Sequence, residues 1–366
     1  MNTEENRVRG ILRLNAFRSK DQGAGVLFNP ERGVEGPRVP ERLLRDYALV
    51  EGAALVGESD AAGRELAKLT QVCGQAPERF RERSRFEQLV PIAPQQRFNF
   101  GALEERSLRL IDLIAPIGKG TRGLIVAPPK AGKTLLMEQL AKGIRAVEPG
   151  ARILVLLIDE RPEEVTYFRR QAQAEVYASS SDQRVEEHIA LAELMLAHIR
   201  AELECGNEVV VLIDSLTRLV RAINRRGGGP GRTLSGGLEA SALEFPRRFF
   251  GLARAIEGGG SVTLLATLLV DTDSRMDQVI YEEFKSTGNC EIVLRRDLAE
   301  ARLYPALDLR ASSTRAEEKL FDPEELPRIQ KLRRVLASRP PQSALRQVLE
   351  LLGEYPNNGE FLKVIR

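Results

Sequence analysis

The segment from Ala127 to Thr134, which reads Ala-Pro-Pro-Lys-Ala-Gly-Lys-Thr, joins an apolar run to a helix-like stretch. A turn between a strand and a helix aims backbone N–H groups at phosphate oxygens, and the helix N-terminus adds a positive dipole. In such loops the lysine pairs with terminal phosphates and the threonine hydroxyl binds Mg²⁺. The pattern predicts a nucleotide site in which Lys133 and Thr134 hold the phosphates and the metal. Ala127 stands where the general pattern has glycine, and an ordinary helix start is the alternative.

Composition excludes several other classes of protein. The 366 residues suffice for two domains, no apolar run reaches membrane-spanning length and the N-terminus is polar, so we expect a cytoplasmic protein with no membrane partner. The 54 basic and 52 acidic residues leave a net charge of +2, so nucleic-acid binding must be local. Widely spaced Cys73, Cys205 and Cys290 favour reduced core thiols over disulfides. His188 and His198 lack further ligands at zinc spacing.

The chain divides into three parts by pattern. Residues 1–76 contain short β-like segments broken by Gly and Pro, which predicts a small β-rich module. Residues 77–100 are rich in charge and proline, and the mixed signs favour a solvated linker over a phosphate-contacting arm. In residues 101–366, continuous apolar runs alternate with amphipathic helices, as in an α/β fold with a mainly parallel sheet buried on both faces. The predicted strands are Leu124–Val126, Ile153–Ile158, Val209–Ile213 and Val262–Thr267.

Ligands of parallel α/β sheets bind at the carboxyl ends of the strands, and two carboxylates follow strands there. Asp214 follows Val209–Ile213 and is interpreted as the residue that orients the magnesium water shell, with a helix cap as the alternative. Glu160 follows Ile153–Ile158 and is the candidate that polarises the attacking water. Glu163 and Glu164 lie in the first turn of a helix after a proline, where acidic side chains favour the dipole, and are interpreted as structural.

With these motifs in place, the sequence resembles the bacterial transcription termination factor Rho family. The resemblance is dense over residues 101–330, and Ala127 is the family's own variant of the loop. The segments that carry it are Arg122–Thr134, Leu156–Thr166, Asp214–Leu219, Pro246–Gly251 and Asp277–Asn289.

The resemblance implies a RecA-like P-loop ATPase core in a homo-hexameric ring that binds single-stranded RNA in its pore. Such a ring hydrolyses ATP with Mg²⁺, and RNA polymerase is a further candidate partner. By position, Glu160, Lys133 and Arg315 would be catalytic, with Arg315 donated to the neighbouring subunit as an arginine finger. Other ATP-binding positions would be Lys130, Ala131, Gly132, Thr134, Leu135, Arg161, Asp214, Arg218, Arg302 and Tyr304, of which Thr134 and Asp214 serve Mg²⁺.

Two loops match the family's RNA-contacting pore loops. Arg232 lies in the first, and Thr272 and Arg275 lie in the second. Arginines replace the family's usual lysines at positions 232 and 275, which keeps the charge. Asp273 stands where glycine is usual and puts a carboxylate beside the expected RNA path.

The resemblance thins at the N-terminus, where the family carries an oligonucleotide-binding, cold-shock-like barrel with base-stacking aromatics. Here that module is poor in aromatics, and Phe28 is better interpreted as core than as a stacking platform. Each lost stacking platform removes about 1–3 kcal/mol of binding per base, so we expect weakened primary RNA capture. The chain is therefore interpreted as a divergent or paralogous member of the family.

Three functions follow from these observations. The first is an RNA-stimulated ATPase that terminates transcription. The second is a Rho-like ATPase ring that lacks sequence-preferring RNA capture. It would be a paralogue that regulates or replaces the motor, or a nucleotide-dependent binding module. The third, a rotary or secretion-type hexameric ATPase, would have a different β-barrel and lack the pore-loop matches.

Overall fold

A computed structural model describes residues 6–14, 25–31, 33–227 and 233–365. The strands are β1 Arg7–Arg13, β2 Gly25–Asn29, β3 Val34–Val39, β4 Ala54–Ser59, β5 Leu66–Val72, β6 Pro91–Ile92, β7 Arg122–Ala127, β8 Arg152–Glu160, β9 Glu175–Ser180, β10 Glu208–Asp214, β11 Arg254–Ile256, β12 Ser261–Leu269, β13 Cys290–Val293 and β14 Ser313–Thr314. The α-helices are α1 Glu41–Asp46, α2 Pro77–Arg81, α3 Arg106–Ile114, α4 Lys133–Val147, α5 Pro162–Gln171, α6 Val185–Glu204, α7 Leu216–Arg226, α8 Glu244–Phe250, α9 Arg275–Lys285, α10 Arg296–Glu300, α11 Glu325–Ala337, α12 Pro341–Glu354 and α13 Asn358–Lys363.

The N-terminal strands form a small antiparallel sheet in the order β3-β2-β1-β4-β5. Arg38 in β3 bridges to Glu65, just before β5, so the two edges of the sheet approach each other and the sheet curls toward closure. Helix α1 lies between β3 and β4 in the chain. Alternate residues of β4, such as Leu55, are buried in the core of this unit. Five strands curled in this way form the predicted barrel of the oligonucleotide-binding type.

The larger sheet has the order β14-β13-β7-β12-β10-β8-β9. The neighbours from β13 to β9 all pair in parallel, and β14 is antiparallel at one edge. Both faces are covered, because in β8 Val155 and Leu157 belong to one hydrophobic core and Leu154 and Leu156 to the other. The continuous apolar runs of the sequence therefore became a parallel sheet between two helical layers, which confirms the predicted fold class.

The carboxyl ends of β7, β8, β10 and β12 lie along one edge of this sheet. Strand β12 separates β7 from β10, and β8 lies on the other side of β10. The loops that follow these strands therefore meet above the sheet, where an open α/β sheet binds its ligands.

Residues 77–100 connect the barrel to the large sheet, and they pack on both. Phe80 in α2 is buried in the barrel core. Arg83 is buried in an ion pair with Glu204 at the end of α6, where Arg83 Nε lies 2.8 Å from Glu204 Oε2. Strand β6 adds to the large sheet by pairing with β11. The charged segment that sequence patterning interprets as solvated thus includes a buried ion pair.

A second contact holds the barrel on α6. Gly52 has φ +84°, and a Cβ atom there would lie 2.3 Å from the carbonyl carbon of Ala197, so only glycine allows this approach. Its carbonyl oxygen lies 2.8 Å from Nδ1 of the buried His198. His198 therefore has a structural role in holding the barrel on α6.

The C-terminal helices are tied to α3 by buried polar groups. Arg109 donates hydrogen bonds to the carbonyl oxygens of Leu352 and Tyr355 and to Oδ1 of Asn358. Asn358 in turn donates to Asp112. In the part of the chain that the structure describes, no helix is long and apolar enough to cross a membrane.

The carboxyl of Asp112 should make stability depend on pH. Burial raises the pKa of Asp112 from 3.8 to about 6, although the nearby Arg97 opposes the shift. The folded protein keeps this proton to higher pH than the unfolded chain, so the stabilising contribution is complete below about pH 4 and is lost as the pH rises through about 6. We expect a loss of roughly 3 kcal/mol in the free energy of unfolding over that interval.

Urea unfolding between pH 4 and pH 7 measures this slope. Asp112→Asn should remove it, whereas Asp322→Asn, which changes an exposed aspartate, should retain it. An unchanged slope in Asp112→Asn would show that other groups cause the pH dependence.

Candidate active site

The phosphate-binding loop lies where the sequence placed it, between the end of β7 and the start of α4. Gly132 caps α4 with φ +87°, a left-handed conformation that glycine adopts without strain. Lys130 also has a positive φ of 65°. Ala127 and Ala131 are buried below the loop. The first N–H groups of α4 have no partner within the helix, so together with the dipole they form an anion site.

Lys133 projects from the first position of α4 to the ends of two strands. Its Nζ lies 2.5 Å from Oδ1 of Asp214, at the end of β10, and 3.8 Å from Oε2 of Glu160, at the end of β8. The Thr267 hydroxyl in the intervening strand β12 donates to the same oxygen of Asp214 at 2.8 Å. The three predicted residues therefore form one cluster, although Lys133 and Asp214 are 81 residues apart in sequence.

Glu160 has the environment expected of a general base. Burial raises the pKa of its carboxyl, the Asp214 carboxylate raises it further, and Lys133 and Arg218 oppose the rise. Arg218 Nη2 donates to Oε1 of Glu160 at 3.2 Å, and Arg218 Nη1 donates to the carbonyl oxygen of Asp159 at 2.6 Å. The other oxygen, Glu160 Oε2, is buried and accepts no hydrogen bond. It is available to a donor such as water.

Glu164 belongs to this cluster, although sequence patterning assigned it only a helix-dipole role. The Thr134 hydroxyl donates to Oε2 of Glu164 at 3.2 Å. Carboxylate oxygens of Glu160, Glu164 and Asp214 all lie within 4.8 Å of one another. The position of Glu164 could have been predicted from helix geometry. Helix α5 begins directly after β8, and helical side chains point back toward the helix N-terminus.

These carboxylates fit a hard divalent cation. Oxygen ligands are the ones Mg²⁺ prefers, and it is usually held by one or two carboxylates together with substrate phosphates. Oδ2 of Asp214, like Oε2 of Glu160, is buried and accepts no hydrogen bond. The Thr134 hydroxyl stands at the edge of the same group.

Tyr304 lies beside the phosphate-binding loop. A Cβ atom placed on Gly132 would be 3.2 Å from two carbons of the Tyr304 ring. Tyr304 is 41% exposed, so part of its side chain is accessible to a planar partner. This exposure does not fit a tyrosine that merely packs under the edge of the sheet. Arg302, with φ +58°, and Leu135, in the first turn of α4, are also exposed.

Arg161 and Arg315 lie at different distances from the cluster. Arg161 caps α5 next to Glu160, and its side chain is exposed. Arg315 follows β14, and its N–H donates to the carbonyl oxygen of Asn289 at the start of β13. This is the amino-terminal edge of the parallel strands, so Arg315 is separated from its own Lys133 by the length of β7, roughly 20 Å.

The second candidate pore loop is linked to the carboxylate cluster through α7. The Thr272 hydroxyl donates to Oδ2 of Asp277 at 2.6 Å, and Arg221 Nε in α7 donates to Oδ1 of Asp277 at 2.8 Å. Arg218, one helical turn earlier, binds Glu160. Arg275 begins α9 beside Thr272. Sequence patterning missed Arg221 and Asp277.

Arg232, the candidate in the first pore loop, lies outside the described residues. Phe28 in the barrel is half-buried, and the Arg13 guanidinium lies over its ring at 4.7 Å. Phe28 packs against the cluster that includes Ile11 rather than within the buried barrel core. His188 is also structural: its Nδ1 lies 2.9 Å from the Ser179 hydroxyl.

Comparison with known proteins agrees with this site. Residues 107–314 match the ATP synthase alpha/beta family, nucleotide-binding domain. The chain is 48% identical over 334 residues to transcription termination factor Rho of Streptosporangium roseum, covering 91% of this chain and 86% of that protein. It is 43% identical over 372 residues to transcription termination factor Rho of Aquifex aeolicus, covering 98% of this chain and 84% of that protein.

Solved structures of similar fold are more distant in sequence. An ATPase from the type III secretion system of pathogenic bacteria superposes with a TM-score of 0.62 at 22% identity, covering 77% of this chain and 89% of that one. The assembled ATPase EscN from enteropathogenic E. coli has a TM-score of 0.63 at 18% identity, covering 100% of this chain and 98% of that one. At these identities the likeness shows the fold.

Glu164→Gln should weaken the use of Mg²⁺, because it removes a carboxylate that accepts from Thr134. Loss of an outer partner in a metal site costs about 10- to 100-fold in metal affinity. The measurement is the Mg²⁺ concentration that half-saturates binding of a fluorescent ATP analogue. Glu163→Gln is the matched control, since Glu163 is one residue away and exposed. Equal Mg²⁺ requirements in the two variants would remove Glu164 from the site.

Proposed function

The chain belongs to the transcription termination factor Rho family, and we propose that it is an RNA-stimulated ATPase that moves along RNA and terminates transcription. The observation that carries this proposal is the cluster of Lys133, at the start of α4, with Glu160 and Asp214, at the ends of β8 and β10. These residues lie beside a phosphate-binding loop in a chain that resembles Rho proteins over most of its length.

The cluster supports in-line attack of water on the terminal phosphate of ATP. Lys133 and the loop N–H groups bind the phosphates, and Glu160 holds and polarises the water through its free oxygen. Thr134 and Asp214 hold Mg²⁺, with Glu164 behind Thr134. The metal, when bound, neutralises charge on the phosphate oxygens. Arg161 and Arg218 sense the phosphate, Tyr304 stacks on adenine, and Lys130, Ala131, Leu135 and Arg302 complete the ATP site.

A second subunit completes the site. Arg315 lies at the opposite edge of the sheet from its own phosphate-binding loop, so it reaches ATP only in a neighbouring copy. A head-to-tail contact that repeats by rotation closes into a ring. We therefore propose a homo-hexameric ring in which each Arg315 acts on the next subunit's ATP.

RNA would pass through the pore of this ring along the loops that carry Thr272 and Arg275, with Arg232 as a further contact. Helix α7 supports coupling, because Arg221 binds Asp277 behind Thr272 and Arg218 binds Glu160. RNA that engages the loop would shift α7 and with it the general base. Such a motor would act in the cytoplasm on nascent transcripts, moving toward RNA polymerase.

The barrel supports one alternative. Arg13 covers Phe28, which reduces its value as a base-stacking surface and agrees with weakened primary RNA capture. A regulatory paralogue with an active ATPase ring would share every feature of the active site. A secretion-type ATPase is less well supported, because its likeness is one of fold at 22% identity or less.

ATP turnover of the purified protein, with and without polycytidylic RNA, tests the proposal. RNA should stimulate turnover, and Lys133→Ala and Arg315→Ala should each abolish it, since an arginine finger contributes about 10³–10⁵ in rate. Mixing the two inactive variants should restore activity at the junctions where they meet. There the Arg315→Ala subunit supplies an intact phosphate-binding loop, and the neighbouring Lys133→Ala subunit supplies an intact Arg315. Turnover that RNA leaves unchanged would exclude the termination motor, and a mixture that stays inactive would exclude the trans arginine.

Asp273 should weaken RNA coupling. It holds φ +58°, a left-handed conformation that glycine adopts more readily than aspartate, and places a negative charge one residue from Thr272. Asp273→Gly should lower the RNA concentration that half-stimulates ATP turnover, because it removes the negative charge, and glycine adopts the positive φ without strain. Asp273→Asn separates charge from strain, because it keeps the backbone preference and removes the charge. If neither variant changes the RNA requirement, Asp273 lies away from the RNA.

A further inference from the structure

A cavity of about 400 Å³ lies at the amino-terminal edge of the large sheet, far from the phosphate-binding loop of the same subunit. Three arginines line it: Arg122 at the start of β7, Arg254 in β11 and Arg315 after β14. The remaining lining residues are apolar or uncharged, and none is an aspartate or a glutamate. The cavity therefore concentrates positive charge without a carboxylate to balance it.

Arg122 and Arg254 are held with unused donors. Nε of each guanidinium is buried and has no hydrogen-bond partner. Arg254 is fixed by a hydrogen bond from Nη2 to the carbonyl oxygen of Gly251 at 2.7 Å and by stacking over Phe86, whose ring centre is 4.4 Å away. These contacts orient Arg254 and leave its charge uncompensated.

The electrostatics agree with the geometry. Burial lowers the pKa of both Arg122 and Arg254, and Arg122 lowers the pKa of Arg254 further. No acidic group contributes to either shift. A nearby acid, Glu291 in β13, faces Arg315 but does not line the cavity. A partly buried cation without a carboxylate partner is costly, so an anion that enters this cavity gains strong, charge-assisted hydrogen bonds.

We propose that this cavity is a phosphate site in which Arg122 and Arg254 bind phosphoryl oxygens alongside Arg315. Planar guanidinium groups match phosphate oxygens in pairs, and the cavity is within the size range of ligand pockets. Two sources carry this chemistry: free inorganic phosphate and the terminal phosphate of a neighbouring subunit's ATP. The second source rests on the proposed function, and the first does not.

Inorganic phosphate is the probe for the site itself. In the Lys133→Ala background, which disables the protein's own phosphate-binding loop, phosphate should raise the melting temperature relative to chloride at equal ionic strength. Adding Arg254→Gln should weaken phosphate binding about tenfold or more, because one charge-assisted hydrogen-bonding group is lost. Arg122→Gln should have a similar effect, which guards against a folding defect in one variant.

Arg248→Gln is the matched control, since Arg248 also lies over an aromatic ring, that of Phe245, but is exposed on α8. It should leave the phosphate effect intact. If Lys133→Ala shows no phosphate-dependent shift, or if Arg122→Gln and Arg254→Gln both keep it, the phosphate site does not exist. Either result would leave the ATP site of the proposed function untouched.

Mixed rings identify the source of the phosphate. Arg254→Gln subunits with intact loops are combined with Lys133→Ala subunits with intact arginines, and ATP turnover is measured. Recovery to the level reached with Arg315→Ala shows that Arg254 acts on the neighbour's ATP. Phosphate binding that depends on Arg254, without such recovery, identifies free phosphate as the ligand and supports the site with that source.

Discussion

Two buried carboxylates, Glu160 and Asp214, end neighbouring strands, and the ammonium group of Lys133 pairs with both. Carboxylates buried so close together repel each other, and each carries one oxygen that accepts no hydrogen bond. The lysine and Arg218 offset part of this cost. A nucleotide with its metal brings both a cation for the free oxygens and phosphates for the lysine, so the site is arranged around a ligand that rebalances its charge.

The parallel sheet creates that arrangement. β8, β10 and β12 run in the same direction, so the residues that follow them meet at one edge although they are far apart in sequence. The Thr267 hydroxyl in β12 donates a hydrogen bond to Asp214 and fixes it. Strand β12 lies between β7, which leads into the phosphate-binding loop, and β10, which ends at Asp214. Both faces of the sheet are buried, so the strands cannot slide without exposing apolar side chains, and the cluster keeps its spacing.

Much of the fold and of the active site could be predicted from sequence, and the site residues that were not predicted share one feature. Long apolar strands and the loop before Lys133 have local signatures, so the fold class and the strands that carry Glu160 and Asp214 could be predicted. Glu164, Arg221 and Asp277 have no local signature, because their roles depend on where a helix points after a strand ends. Likewise, mixed charges in residues 77–100 indicated solvation, yet Arg83 finds a buried partner 121 residues away in Glu204. Long-range pairs of this kind are set by tertiary packing, which periodicity does not report.

The charged groups are divided between the two edges of the large sheet, so ATP hydrolysis in the proposed ring would depend on contact between subunits. The carboxyl edge carries the loop, the acidic cluster and Tyr304, whereas the amino edge carries Arg122, Arg254 and Arg315. Within one subunit these edges are separated by the strands themselves, so a single copy has phosphate ligands on one side and spare guanidinium groups on the other. In the proposed ring, one copy's amino edge would stack on the next copy's carboxyl edge and place cations against phosphates at every junction. In the proposed ring these cations would meet phosphates only after nucleotide has entered the loop, so nucleotide binding and subunit contact should strengthen each other.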